Sequence, residues 1–104
     1  MSFRRATAKT QTPTAHSLEH RLQKEFESPS SDENAQPIIL AEPPEPAPIS
    51  RLFVIWDDWA EISLQDRSEI IMNAYIRAKG QPAGLRISVA MGLTSTEAKH
   101  MGIT

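Results

Sequence analysis

Five of the chain's eight prolines fall between Pro37 and Pro48. Pro43-Pro44 forbids helix there and withholds the backbone N–H that a sheet ladder needs. The segment from Glu42 to Pro48 is therefore extended loop, and whatever folds must be arranged on either side of it. The stretch from Ser28 to Ser50 also holds four acids and no base. At the other end, residues 1–18 carry Arg4, Arg5 and Lys9 with no acid, among Ser2, Thr7, Thr10, Thr12 and Thr14, which no core-forming period uses. Residues 1–16 read as a disordered N-terminal tail. The same composition suits a mitochondrial transit peptide, so the expected localisation is cytoplasmic, with mitochondrial as the alternative.

Between tail and loop, Leu18, Leu22 and Phe26 recur every fourth residue. Ser17 offers an N-cap and Pro29 a stop, which predicts one amphipathic helix. Pro37-Ile38-Ile39-Leu40 reads as a short strand entered by a proline, hence at the start or edge of a sheet. Arg51-Leu-Phe-Val-Ile-Trp56 is apolar on both faces, which describes a strand covered on one side and partly on the other. Asp57 and Asp58 end it, and Trp59 with Ile62 resumes apolar contact in a turn. Ser63 and Asp66 approximate a capping box. Ile70, Ile71, Ala74, Tyr75 and Ala78 then predict a helix over 64–79 that stops at Gly80, with Pro82 just beyond.

Leu85, Ile87, Val89 and Met91 alternate with Arg86, Ser88 and Ala90. That period of two predicts a strand over 85–91, with the first set in the core and Arg86 and Ser88 facing out. Thr94-Ser-Thr-Glu97 is a capping box ahead of a short helix closed by Gly102. The fold class expected is α+β: a two-layer α/β sandwich in which a three-stranded mixed sheet carries helices on one face. The first two strands pair antiparallel across the loop, and a right-handed crossover brings the last strand parallel to 51–56. One domain over 17–104, with a Pro-rich loop at 41–50, accounts for the chain.

Composition then narrows the class of function. Eleven bases against thirteen acids leave a net charge of −2, an ordinary soluble balance. The longest apolar stretch, Leu52 to Trp56, is five residues, against the roughly 20 of a bilayer crossing, and no secretory h-region follows the N-terminal arginines. The absence of cysteine excludes a disulfide scaffold, a thiol nucleophile and any metal site built on the chain's own thiolates.

The segments taken together resemble a family. Leu18-Glu-His-Arg-Leu-Gln-Lys-Glu-Phe26 resembles the opening helix of BolA-like proteins, and Arg51-Leu-Phe-Val-Ile-Trp-Asp-Asp-Trp59 their second strand with the aromatic at its exit. Leu64-Gln-Asp-Arg67 with Ile71 is similar to the start of their long helix, and Leu93-Thr-Ser-Thr-Glu97 to the segment after their last strand. The match spans about residues 17–100. It implies an α-β-β-α-α-β fold like a type II KH domain, a non-enzymatic adaptor or regulatory role, and partnership with monothiol glutaredoxins in iron–sulfur handling, with DNA binding proposed for some members. Two departures bear on the chemistry. Counting back from Leu93, the family's histidine falls on Arg86, allowing one residue of slippage. A guanidinium has no lone pair to give to iron. The loop Ala41-Glu-Pro-Pro-Glu-Pro-Ala-Pro-Ile-Ser50, where many members carry a Cys or His, has neither.

No catalytic residue, cofactor or metal site is expected. His16 and His20 stand at i and i+4, but a useful site needs three or four ligands, and with His100 they read as solvated. Asp57, Asp58 and Glu61 read as strand-terminating and turn-capping acids, with no nucleophile or oriented histidine beside them. Trp56 and Trp59 read as core rather than as a stacking platform. The residues named for partner or nucleic-acid binding are Arg67, Arg77, Lys79, Arg86 and Ser88. The alternative function is a KH-like nucleic-acid-binding regulator using the four cations. It is the less favoured reading, because residues 51–104 hold six bases and six acids and Gly80-Gln-Pro-Ala-Gly84 is not a GXXG clamp. A monomer or weak dimer that makes no membrane contact is expected.

Overall fold

The computed structural model describes residues 15–29, 37–44 and 47–103; the expected tail falls mostly outside them. Leu18, Leu22 and Phe26 are buried along one stripe of α1 (Ala15–Glu27). Each such side chain contributes about 2 kcal/mol by leaving water, so α1 is an integral part of the domain core rather than a preface to it. The helix begins at least three residues earlier than the sequence suggests, which puts Ser17 inside its first turns rather than at the cap.

The sheet has the order β1-β2-β3. Strand β1 (Ile38–Glu42) pairs antiparallel with β2 (Arg51–Ile55), and β3 (Val89–Leu93) pairs parallel with β2. A 3-10 turn (Asp57–Glu61) leads from β2 to α2 (Leu64–Lys79), whose N-cap Ser63 accepts the Asp66 amide N–H. Gly80, at φ +96°, ends α2 in a conformation that a Cβ disfavours. A short helical turn, α3 (Gln81–Gly84), follows at once, and after β3 comes α4 (Ser95–His100). This is the α+β fold with a three-stranded mixed sheet that the periodicities predict, except that α4 lies on the face opposite α1 and α2 instead of sharing one face with them.

Leu52 and Val54 of β2 meet α1 and α2 in the main core, with Trp56, Trp59, Ile70, Ile71, Ala74 and Tyr75. Trp56 and Trp59 pack edge to face at 5.2 Å, and the Trp59 indole N–H donates to the Val54 carbonyl at 3.1 Å. The guanidinium of Arg21 lies 5.0 Å from the Trp56 ring and pairs with Asp58 at 3.0 Å, joining α1 to the exit of β2. Alternate residues of the sheet face the other way. There Ile55 and Leu93 are buried beneath Ala98 of α4, with Leu40, Met91 and Ile103 packed against them. The short last helix thus adds a small second cluster behind the sheet.

The last strand departs from its sequence reading in both register and facing. It runs over 89–93, not 85–91. The amide N–H groups of Gly84, Leu85, Arg86 and Ile87 are used in the turn, bonding to the carbonyls of Gly80, Gln81, Ala83 and Gly84, so none of them is available to a ladder. Leu85, expected in the core, is 77% exposed. Ile87 packs against the main core as expected, but Ala90 packs there too while Met91 faces the opposite side, so within β3 the expected alternation is reversed. Gly92 shows why: it faces the Trp59 indole so closely that an added Cβ would stand 2.8 Å from it. A side chain large enough to fill its own space has no room there.

Candidate functional site

Of the five residues expected to bind a partner, Arg67 is the one the structure removes. It is 4% exposed. Its Nε donates to the Ile62 carbonyl at 2.8 Å, and its Nη1 donates to the Gly92 carbonyl at 3.1 Å and to Glu97 Oε1 at 2.7 Å. A guanidinium can be buried when its fork of donors is matched in this way. Arg67 is therefore an internal brace between α2, β3 and α4, and no partner or phosphate reaches it.

The same carboxylate closes a capping box at α4. Glu97 accepts the Thr94 amide N–H at 2.9 Å, and the Thr94 hydroxyl accepts the Glu97 amide N–H at 3.2 Å. The Thr94 N–H bond, followed by the Arg67 guanidinium, holds the Glu97 carboxyl below its ordinary value of 4.5. A carboxyl depressed in the folded state stabilises the fold above its unfolded value, and that contribution is lost as pH falls through the lower folded value. Glu97→Gln is therefore expected to flatten the loss of stability below about pH 4.5 while changing little of its slope above pH 5. Urea midpoints recorded across that range test it, and identical acid slopes for the two proteins would contradict it.

Of the other four candidates, Arg77 and Lys79 lie in the last turn of α2 and Arg86 and Ser88 in the approach to β3. Ser88 donates both its amide N–H, at 2.7 Å, and its hydroxyl, at 3.0 Å, to the Ser50 carbonyl. Those bonds fasten the approach to β3 against the start of β2, where the β1–β2 loop arrives. Ser88 is exposed but already committed to this join. Arg86 sits in the turn before β3, exposed, and Lys79 ends α2, also exposed. Among the described residues neither has an ion-pair partner. Arg77 pairs with Glu19 of α1 at 3.3 Å, and Arg51 with Glu42 across β2 and β1 at 3.7 Å. Arg86 thus holds no place in the last strand, and the inference that it replaces a strand histidine is corrected to a position in the turn three residues earlier. It still stands beside the join that brings the loop and β3 together.

The remaining constellations resolve into structural parts. Trp56 and Trp59 are 1% and 0% exposed, so neither can stack on a base. Asp57 accepts the Ser95 amide N–H at 2.8 Å at the start of α4, and Asp58 holds Arg21. His16 and His20 are exposed on α1. Among the described residues no group of three His, Cys, Asp or Glu is placed to hold a metal, and no helix is long and apolar enough to cross a membrane. Leu85, like Ala90 and Met91, is a residue that sequence periodicity assigned to the wrong environment. The signal for its exposure was the pair of glycines at 80 and 84 around Pro82, which favours a turn over a strand. No family model, no curated protein and no solved structure matches the chain.

Proposed function

We propose that the protein is a non-enzymatic BolA-like adaptor that acts through protein–protein contact, at the end of the sheet where the β1–β2 loop meets the approach to β3. The observation that carries this reading is the Ser88–Ser50 join. It puts side by side the two segments in which the resemblance implies partner and metal contacts. The strand order, with one antiparallel and one parallel pairing, supports the same reading, since it accompanies the helix–strand–strand–helix–helix–strand sequence that the resemblance implies.

The chemistry at that end favours contact without ligation. Arg86 offers only N–H donors, Ser88 spends its hydroxyl on a carbonyl, and the loop from Ala41 to Ser50 contains no histidine or cysteine. A monothiol glutaredoxin is the partner that the resemblance implies. The chain would dock against it and leave any cluster to the partner's own ligands. Burial of Arg67 also weakens the nucleic-acid alternative, which loses one of its four cations.

Mixing the full chain with a monothiol glutaredoxin and iron–sulfur reconstitution components tests the proposal. Gel filtration is expected to show a complex, and the visible spectrum is expected to match that of the glutaredoxin cluster alone. A spectrum altered by a new nitrogen ligand would refute contact without ligation. Failure to form any complex would refute the adaptor.

A further inference from the structure

Between Glu69 and Glu97 the chain contains no acid, while Arg77, Lys79 and Arg86 all lie in that interval. The fold bends the interval back on itself at Gly80–Gly84, so Lys79 at the end of α2 and Arg86 after α3 stand on the same excursion of the chain. Among the described residues Arg77 is offset by Glu19, while Lys79 and Arg86 pair with no acid. Leu85, which lies between these two cations in the sequence, has 77% of its surface in water. The bonds from Gly84 through Ile87 to the carbonyls behind them hold this turn in one shape, so the leucine is presented by a rigid support.

We infer that Lys79, Leu85 and Arg86 form a docking patch for an acidic segment of a protein partner that carries an apolar side chain to cover Leu85. The inference rests on the adaptor reading for its location and adds to it the chemistry of the partner. Charge complementarity selects the acidic segment: Lys79 and Arg86, which pair with no acid among the described residues, attract carboxylates and repel bases. The leucine selects a polypeptide. A nucleic acid rewards many phosphate contacts and gains little from an isolated exposed leucine. A membrane needs a larger apolar insertion or a denser basic cluster before binding becomes stable. A peptide satisfies both features at once, the cations setting encounter and register and the leucine supplying a desolvated centre.

The probe is a short glutamate-rich peptide carrying leucines, labelled for fluorescence anisotropy and titrated with the full chain at low and high salt. Binding is expected, and it should weaken as salt screens the charges. It should fall when serine replaces the leucines and vanish when lysine replaces the glutamates. Lys79→Glu with Arg86→Glu should weaken it by at least about tenfold, and Leu85→Ser by several-fold. All three residues are exposed, so unchanged thermal melting confirms that each variant is folded. Binding that ignores these substitutions overturns the inference. So does tighter capture, through the same residues, of phosphatidylserine vesicles or of a single-stranded oligonucleotide. An inert peptide together with a glutaredoxin complex unaffected by the charge reversals overturns this inference and leaves the adaptor reading standing. A bound peptide with no glutaredoxin complex supports the patch and overturns the adaptor reading in the form proposed above.

Discussion

Gly92→Ala is expected to destabilise the fold by about 3 kcal/mol, at the upper end of what one inserted methyl costs in a packed core. The added Cβ would stand 2.8 Å from Cε2 and Nε1 of Trp59 and 2.9 Å from the Cβ of Arg67. Neither neighbour can yield cheaply. The indole is tied to the Val54 carbonyl and wedged against Trp56, and Arg67 is held by two backbone carbonyls and a carboxylate. Urea denaturation followed by tryptophan fluorescence measures the cost. Trp59→Phe, which shortens the ring, should make the double variant less destabilised than the sum of the two single changes. A Gly92→Ala protein within about 0.5 kcal/mol of the parent would mean that β3 does not approach α2 this closely.

Arg67→Ala is expected to cost a similar amount, about 3 kcal/mol, from losing its bonds to the Ile62 and Gly92 carbonyls at about 1.5 kcal/mol each. The Gly92 carbonyl is then left without the donor that the burial around it requires. The partly exposed Glu97 turns to water and suffers less. Arg67→Lys should recover under half of the loss, because an ammonium on a flexible stem cannot reach Ile62, Gly92 and Glu97 in one geometry. Full recovery with lysine would show that charge alone matters at this position. Because the side chain is interior, neither variant should alter peptide binding at Lys79 and Arg86 while the protein remains folded.

The sequence made local features legible and left the long-range ones hidden. The helix at 64–79, the strand predicted over 51–56 and the Thr94–Glu97 capping box follow from spacing within a few residues, and they stand where spacing puts them, the strand ending one residue sooner at Ile55. Helix α1 was legible for the same reason, through Leu18, Leu22 and Phe26. The register of β3 was not. Leu85-Arg86-Ile87-Ser88 satisfies a period of two as well as any strand, and only the turn bonds from Gly84 to Ile87 decide against it. The role of Arg67 depends on partners 25 and 30 residues away, a separation that no local pattern encodes. A helical arginine beside solvent-facing positions reads as surface until the carbonyl of Gly92 is seen to reach it. For the candidate site, Lys79, Arg77 and Arg86 were identifiable by charge, whereas their association with an exposed leucine was not.

One detail of α2 bears on how the molecule lives among its own copies. The Ser68 hydroxyl donates to the Ala90 carbonyl at 2.7 Å, while Arg67 occupies that of Gly92. In β3 the carbonyl of Leu93 turns toward β2, so those of Ala90 and Gly92 point to the outer rim. A stray extended chain seeking to lengthen the sheet there would find its own amides facing acceptors already taken. Side chains of one helix thus occupy two outward acceptors of β3, which disfavours growth of the sheet past this strand without a proline or a lysine in it.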